Sequence, residues 1–226
     1  GLIAQAFRQY ENDKNILIFA SGVSSSKTCT VFDCNREEEL IKKTLKDCNK
    51  QTLIVYFSSC GIANANLVND IYYIHKQRME NVIQAYSDKS IIFRLSYVVG
   101  SVGNPSTLFQ YLVNKIKSQE EFDLWSGAKR NIIDIDDVVS IASYVIQNDL
   151  FENEIVNIAN LNDNTIDEVV REISSYFKIS AKCSIIKCSD NYSIDIDKIK
   201  PIVSSLDLDF GVNYLKSIVA KYCDNV

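Results

Sequence analysis

The stretch Thr52-Leu53-Ile54-Val55-Tyr56-Phe57-Ser58-Ser59 decides the fold, because it is an unbroken apolar run that ends in two serines. A run of this length is typical of a strand that is buried on both faces of a parallel sheet. Residues 15–20 and 91–95 have the same character, while residues 35–48 and 70–86 have helical patterns. This alternation predicts an α/β fold, a parallel sheet with helices on both faces.

The same alternation continues along the chain. We expect a helix from the first residue to about Tyr10, then helices at 105–117, 136–147, 165–177 and 211–222, and strands at 131–135, 154–159 and 181–187. Thr165 and Glu168 have the spacing of a capping box at the start of a helix. We interpret residues 1–160 as the core, with an insertion at about 101–130, and residues 161–226 as a small C-terminal α/β lobe.

Composition argues against several classes of protein. The 226 residues are 46% apolar and 23% charged, and the net charge of −5 argues against general binding to nucleic-acid phosphates. We find no apolar run long enough to cross a bilayer and no signal peptide, so we expect a cytoplasmic protein. Seven cysteines without a CxxC pair, and a single histidine, argue against a metal site and favour reduced thiols that pack as small apolar groups.

Tyr72 and Lys76 are four residues apart on a predicted helix and therefore share a face. A nearby ammonium lowers the pKa of a tyrosine, which makes the phenol useful for proton transfer near neutral pH. The spacing alone is weak evidence, since Tyr10/Lys14 and Tyr111/Lys115 repeat it. The alternative is a surface helix with an exposed tyrosine and lysine.

Polar segments follow three of the predicted strands. Residues 21–26, the serines 58 and 59, and residues 95–100 each lie where a strand ends. Ligands of such sheets bind beyond the carboxyl ends of the strands. We therefore expect these segments to border one crevice beside Tyr72 and Lys76.

Taken in order, six segments resemble the extended short-chain dehydrogenase/reductase family of sugar-nucleotide epimerases, dehydratases and ketoreductases. Gly1-Leu2-Ile3-Ala4 resembles the second half of its glycine-rich turn, and Phe19-Ala20-Ser21-Gly22 resembles a strand end that borders the cofactor. Phe57-Ser58-Ser59-Cys60 resembles the family's catalytic strand, and Tyr72 with Lys76 resembles its catalytic pair. Arg94 to Gly100 resembles the next strand with its turn, and Lys129 to Val138 resembles the segment that carries the substrate-binding arginine.

The resemblance implies a Rossmann-like core, a C-terminal substrate-binding lobe, NAD or NADP as cofactor, a nucleotide-sugar substrate and a possible homodimer. It makes Tyr72 the general acid/base, Lys76 the ribose contact that tunes it, and Ser59 the catalytic hydroxyl, with Ser58 as the second choice. The other implied contacts are to the cofactor from Gly1, Leu2, Ile3, Ala20, Ser21 and Gly22, and to the substrate from Tyr97, Asn104 and Arg130.

Several of these residues have simpler interpretations. Arg130 is also suited to a surface ion pair with Asp134 or Asp136, and Asn104 to a turn or cap before a proline. His75 is one position from Lys76 and is expected to point to a different face, in a packing or surface role. Cys60 lacks a neighbouring histidine base and is expected to be structural.

The N-terminal part departs from the family pattern. The strand before the glycine-rich turn and the residue that reads the adenine ribose are not visible, and the first glycine of the turn would precede Gly1. We expect a compact member whose cofactor half is abbreviated. The leading hypothesis is a sugar-nucleotide 4-epimerase or ketoreductase. The alternatives are a catalytically silent binding or scaffold protein, and a dinucleotide-sensing regulator.

Overall fold

The computed structural model describes residues 1–23, 26, 29–101, 107–188 and 190–223. Its strands are β1 (Ile16–Phe19), β2 (Leu53–Ser59), β3 (Ser90–Leu95), β4 (Tyr97–Val99), β5 (Phe122–Ser126), β6 (Lys129–Arg130), β7 (Ile132–Asp134), β8 (Glu154–Ile158), β9 (Asn164–Thr165) and β10 (Cys183–Lys187). Its helices are α1 (Leu2–Ala6), α2 (Val31–Asp47), α3 (Ile71–Tyr86), α4 (Leu108–Ser118), α5 (Ile135–Gln147), α6 (Ile166–Phe177), α7 (Lys200–Ser205) and α8 (Tyr214–Tyr222).

The central sheet confirms the predicted α/β class. Four strands lie in the order β1-β2-β3-β8, and every neighbouring pair is parallel. The carboxyl ends of all four strands therefore lie at the same edge of the sheet. Helices α2 and α3 cover one face of the sheet, and α5 packs on the other face with α1 beside it.

The apolar run of β2 explains both layers. Successive strand residues point to opposite faces, so Ile54 and Tyr56 join the cluster under α2 and α3. Val55 and Phe57 join the larger cluster on the other face, where the Phe57 ring lies 4.9 Å from that of Phe7. A strand buried on both faces needs apolar residues at every position, which is what made this run so informative.

The larger hydrophobic cluster continues without a break into the C-terminal part of the chain. Strand β5 pairs with β10, β6 pairs with β9, and α6 packs against α4 and α8. Residues 107–130, the described part of the predicted insertion apart from residue 101, thus pack with the C-terminal residues. The proposed boundary between residues 160 and 161 stays a prediction.

Most predicted elements are present, with three kinds of difference. Helix α2 starts four residues before the predicted position, because Thr30 and Asp33 form a capping box. The short strands β4, β5, β6 and β9 and the helix α7 were not predicted. The first helix ends at Ala6 and is followed by a 3-10 turn at Arg8–Tyr10.

Helix starts with strong local signals were predicted correctly. The Asp70 side chain caps α3 by accepting a hydrogen bond from the Tyr72 N–H, and Thr165 and Glu168 form the expected capping box of α6. Such caps contribute about 1 kcal/mol each. Within the described residues, no helix combines the length and the apolar character needed to span a membrane.

A matched pair of substitutions tests this assignment of the core. Ile91 in β3 is 1% exposed, whereas Ile185 in β10 is 70% exposed. Ile91→Ala should lower the free energy of unfolding by about 2–5 kcal/mol, because it leaves a cavity in a packed core. Ile185→Ala should cost less than about 1 kcal/mol. Denaturant unfolding measures both, and equal losses would contradict the burial of β3.

Candidate active site

Lys76 lies against the carboxyl-terminal half of β2. Its Nζ is 3.0 Å from the Tyr56 hydroxyl oxygen and 3.5 Å from the Phe57 carbonyl oxygen. The same Nζ is 5.8 Å from the centre of the Tyr72 ring. The helical spacing therefore places Tyr72 and Lys76 side by side at the end of the strand, as predicted. Their catalytic roles stay predictions.

The main partner of Lys76 is Glu37, which the sequence analysis did not single out. Its buried carboxylate, from α2, lies 3.2 Å from Lys76 Nζ. It also accepts hydrogen bonds from the Tyr56 hydroxyl at 2.7 Å and from the Val23 N–H at 2.6 Å. His75 Nε2 is 3.0 Å from Glu37 Oε2, the oxygen that also accepts the Val23 N–H, whereas Tyr56 and Lys76 bind Oε1. One buried carboxylate thus gathers four partners.

Glu37 stays ionised because these partners outweigh its burial. Burial alone would raise the pKa of the carboxyl group, but the hydrogen bond with His75, the Lys76 charge and the bond from Tyr56 lower that pKa to about 2. Burial lowers the pKa of Lys76, and the charge of Glu37 opposes this shift. With four partners around the carboxylate, the pair is an ion pair at neutral pH.

Tyr72 does not have the lowered pKa that its spacing from Lys76 suggested. Burial raises the pKa of its phenol above the usual value, and neighbouring Tyr73 and Glu37 raise it further. The positive charge of Lys76 is balanced locally by Glu37. Tyr72 is therefore protonated at neutral pH, and the expectation of a lowered tyrosine pKa was wrong.

The two serines of β2 have different surroundings. The Ser59 hydroxyl accepts a hydrogen bond from the Gly61 N–H at 3.1 Å and begins the 3-10 turn Cys60–Ala63. The Ser58 hydroxyl is buried and has no hydrogen-bond partner among the described residues. By strand alternation Ser58 shares the face of Tyr56, towards α3. A buried hydroxyl without a partner is costly, so it is a candidate contact for a bound group.

The candidate cofactor residues form two separate groups. Ala20, Ser21 and Gly22 follow β1, and a Cβ added to Gly22 would lie 2.6 Å from Glu37 Oε1 and 2.8 Å from Lys76 Nζ. The backbone at Gly22 thus approaches the ion pair more closely than any side chain would permit.

The second group is at the start of the chain. Leu2 and Ile3 begin α1, and Gly1 has nothing close to the position of an added Cβ. A Cβ on Gly100, after β4, would lie 2.5 Å from a Leu2 methyl group. The segment that resembles a glycine-rich turn therefore packs against the end of β4.

The residues around Lys76 fit a nicotinamide cofactor. The unpartnered hydroxyl of Ser58, the ammonium of Lys76 and the bare backbone at Gly22 are all at the carboxyl ends of β1 and β2. That end of a parallel sheet is where nucleotide ligands bind.

Arg130 is held by Asp190 rather than by the aspartates considered from the sequence. Its guanidinium donates to the Asp190 carboxylate at 2.9 Å and to the Asp190 carbonyl at 3.1 Å. Asp134 and Asp136 instead bind Lys221. The suggested surface pair was wrong because the C-terminal helix α8 brings that lysine to the start of α5.

The Asp190 carboxylate is also bound by two asparagines. Asn64 and Asn66 donate to it at 3.1 and 3.2 Å. The Arg130 guanidinium lies 5.7 Å from the centre of the Tyr97 ring, so these two candidate substrate residues are together. Asn104 lies outside the described residues.

The alternatives for His75 and Cys60 have clear outcomes. His75 is buried, but it shares the Glu37 carboxylate with Lys76, so the expectation that it points away from Lys76 was wrong. Burial raises the pKa of Cys60 to about 12, and its thiol donates to the Arg94 carbonyl. Cys60 is therefore a structural thiol, as expected.

A cavity of about 180 Å³ lies elsewhere, at the amino end of β2. Its walls include Thr52, Ile54 and residues at the C-terminal ends of α2 and α3. None of the candidate catalytic residues lines it. The chemistry argues for the opposite end of the sheet, where the ionisable groups converge.

Comparison with protein families agrees with this geometry. Residues 48–159, which include β2, Tyr72, Lys76 and Arg130, match the NAD dependent epimerase/dehydratase family. The chain belongs to this family. Its other members are NAD-dependent enzymes, and the extended short-chain resemblance is confirmed. A comparison with curated proteins found no match.

Solved structures of epimerases and dehydratases share the fold. UDP-glucuronic acid 4-epimerase from Bacillus cereus, in complex with UDP-glucuronic acid and NAD, is 14% identical with a TM-score of 0.73, over 97% of this chain and 77% of that chain. UDP-glucose 4-epimerase from Thermus thermophilus, in complex with NAD, is 15% identical with a TM-score of 0.70, over 99% and 80% of the two chains.

A third similar structure is dTDP-glucose 4,6-dehydratase from Bacillus anthracis, in complex with NAD. It is 19% identical with a TM-score of 0.69, over 100% of this chain and 79% of that chain. At these identities the likeness shows the Rossmann-like fold, and it does not choose between epimerase and dehydratase.

The lowered pKa of Glu37 predicts a pH-dependent stability. The group ionises at about pH 2 in the fold, against its usual value of 4.5. Its contribution, about 3 kcal/mol, is therefore fully present above pH 4.5 and is lost as the pH falls towards 2. In Glu37→Gln, the plot of unfolding free energy against pH should be flatter in this window.

Denaturant unfolding at a series of pH values measures this slope. The control is Glu39→Gln, because Glu39 is exposed on the same helix and its removal should leave the wild-type slope. A slope in Glu37→Gln equal to that of the wild type would contradict the assigned ionisation of Glu37.

Proposed function

We propose that this chain is an NAD(P)-dependent enzyme that acts on a nucleotide-activated sugar, by 4-epimerisation or keto reduction. The observation that carries the proposal is the pairing of Tyr72 with Lys76 beside the serine-ended strand β2, within the segment that matches the epimerase/dehydratase family. Composition and fold are compatible with many functions, whereas this combination favours hydride transfer to or from a nicotinamide, coupled to proton transfer at a sugar oxygen.

Proton transfer at the sugar oxygen is assigned to Tyr72. Because burial keeps its phenol protonated, Tyr72 can donate its proton to a keto oxygen as that oxygen gains negative charge. In the reverse direction the phenolate would take the hydroxyl proton back. The nicotinamide, when bound, supplies the hydride exchange.

The neighbouring residues orient the reacting groups. A hydroxyl from Ser59, or from Ser58 as the second choice, would hydrogen-bond the same sugar oxygen as Tyr72. Lys76 would contact the cofactor ribose, and its ammonium favours negative charge that develops nearby. Gly22 and the residues before it would border the cofactor. The choice between NAD and NADP stays open.

A nucleotide sugar is the proposed substrate class. The similar structures include complexes with UDP-glucuronic acid, and Arg130 offers a planar guanidinium that suits a diphosphate. Tyr97, beside this guanidinium, would line the same pocket. In the structure Arg130 binds Asp190, so a substrate phosphate would have to displace that carboxylate.

A non-catalytic binding or scaffold protein is the second candidate. It is favoured by the state of Lys76, whose ammonium already has three acceptors within the chain: Glu37, Tyr56 and the Phe57 carbonyl. A lysine held in this way offers little to a ribose. If these bonds do not open, the site would not take up a dinucleotide productively.

The proposal includes a cytoplasmic location and a homodimer. Exposed apolar residues on α2 and α3 support the homodimer. Phe32 on α2 and Ile71 and Ile74 on α3 are apolar residues with 48–76% of their surface exposed, and the two helices are neighbours. Covering such residues with a second copy would remove apolar surface from water.

Replacing the proposed acid/base tests the enzyme directly. Tyr72→Phe should lower kcat by about 100- to 10,000-fold, because it removes the proton donor and keeps the ring. Tyr86→Phe is the control, since Tyr86 is 70% exposed at the far end of α3 and should retain wild-type turnover. The assay is conversion of a panel of UDP- and dTDP-sugars with NAD(H) or NADP(H).

The scaffold alternative makes a different prediction for the wild type. Calorimetric titration should then show no binding of NAD(H) or NADP(H) at millimolar concentration, and no turnover. Binding of either cofactor together with full activity of Tyr72→Phe would contradict the proposed mechanism but not the cofactor.

Releasing Arg130 tests the substrate site. Asp190→Asn removes the carboxylate that competes for the guanidinium and should tighten the binding of UDP by about tenfold, as expected for a hydrogen bond to a charged group. Asp197→Asn is the control, because Asp197 pairs with Lys200 on the surface. Calorimetry with UDP measures both, and weaker binding to Asp190→Asn would argue against Arg130 as the phosphate contact.

A further inference from the structure

Glu37 occupies an unusual position among the charged residues of the described chain. Its side chain is fully buried, and it joins four elements: α2, the segment after β1 through Val23, β2 through Tyr56, and α3 through His75 and Lys76. Both of its oxygens accept hydrogen bonds. The catalytic lysine of the proposed function is therefore fixed from α2 as well as from its own helix.

We propose that Glu37 is a positioning residue of the active site, which holds the Lys76 ammonium against β2 and so fixes its place beside Tyr72. This inference rests on the proposed function of Lys76 and Tyr72. Glu37 itself would touch neither substrate nor cofactor.

The geometry supports a role beyond cross-linking two helices. Compared with apolar side chains of similar volume, a buried ion pair adds little stability, because desolvation of the two ions offsets most of their attraction. Packing of α2 on α3 is already supplied by apolar residues, including Ile41, Met79 and Ile83. The pair also fixes the direction of Lys76 Nζ, which makes bonds to Glu37 and Tyr56 at once.

The charge of Glu37 acts on both titrating groups of the site. It raises the pKa of Tyr72 and it raises the pKa of Lys76. The other titratable or charged groups near these two residues come from α3 and its cap, from β2 and from the segment before α2: Tyr73, Asp70, Glu80, Tyr56 and Cys29. Removing the Glu37 charge should therefore lower both pKa values together.

The first test is the pH profile of Glu37→Gln. We expect kcat to fall by about 10- to 100-fold, as for misplacement of a catalytic group. The basic limb of the profile for keto reduction should move to lower pH, because Tyr72, the proton donor, and Lys76 would both lose their protons earlier. Glu37→Asp should recover part of the rate and the wild-type profile.

The control is Glu38→Gln. Glu38 is the next residue of α2 and also lies in ion pairs, with Lys42 and Arg78, but it does not contact Lys76. Its replacement should leave the profile unchanged. A uniform loss of rate in Glu37→Gln, with the basic limb at its wild-type pH, would show a merely structural role and overturn the inference.

A double-mutant cycle tests whether Glu37 acts through Lys76. Once Lys76→Met has removed the ammonium, adding Glu37→Gln should cost no further activity, so the double variant should match Lys76→Met alone. Independent, multiplying losses would contradict the inference. The double variant also removes both buried charges, so it provides a folded reference if Glu37→Gln proves unstable.

A readout without turnover separates this inference from the proposed function. The ionisation of Lys76 can be followed by NMR of protein labelled at the lysine Cε, with the Lys76→Met spectrum to assign the signal. Glu37→Gln should shift this titration to lower pH, whereas Glu38→Gln should not. If the wild type converts no nucleotide sugar, the proposed function fails; if the Lys76 titration does not move, the role of Glu37 fails.

Discussion

The burial of the Lys76 ammonium is the constraint on which the site depends. An ammonium withdrawn from water needs acceptors, and β2 alone supplies only a hydroxyl and a carbonyl. The Glu37 carboxylate completes the set from another helix. As a result α2, α3 and β2 meet in one polar network, and the position of Tyr72 follows from the placement of α3.

Much of the fold was predictable because its signals are local. A run of apolar residues gave β2 its place in the sheet, and Asp70 and Thr165 marked the starts of α3 and α6 by capping chemistry that acts over three residues. The missed start of α2 has the same kind of signal, a threonine and an aspartate three residues apart. Strands β4, β6 and β9 were not predicted because strands of two or three residues show no periodicity.

The candidate site was predictable only where a motif carried it. Tyr72 and Lys76 were found by their spacing and by the segments around them. Their partners were not, since Glu37 is 39 residues from Lys76 and Asp190 is 60 residues from Arg130. Such pairs arise from the packing of helices and loops on the sheet, and no local pattern marks them. The pKa of Tyr72 was misjudged for a similar reason, because burial of the phenol by the tertiary fold raises it, and the unseen Glu37 carboxylate adds to that shift.

The close approach of Gly22 gives the loop after β1 a role in setting the distance between two charges. Glu37 Oε1 and Lys76 Nζ lie 2.6 and 2.8 Å from the position that a Cβ would take there, so the backbone forms one wall of the space that the ion pair fills. A change in the path of this loop would therefore change the distance between the Glu37 carboxylate and the Lys76 ammonium. The end of β1, which carries no acid or base of its own, therefore helps to determine the electrostatics at the end of the neighbouring strand β2.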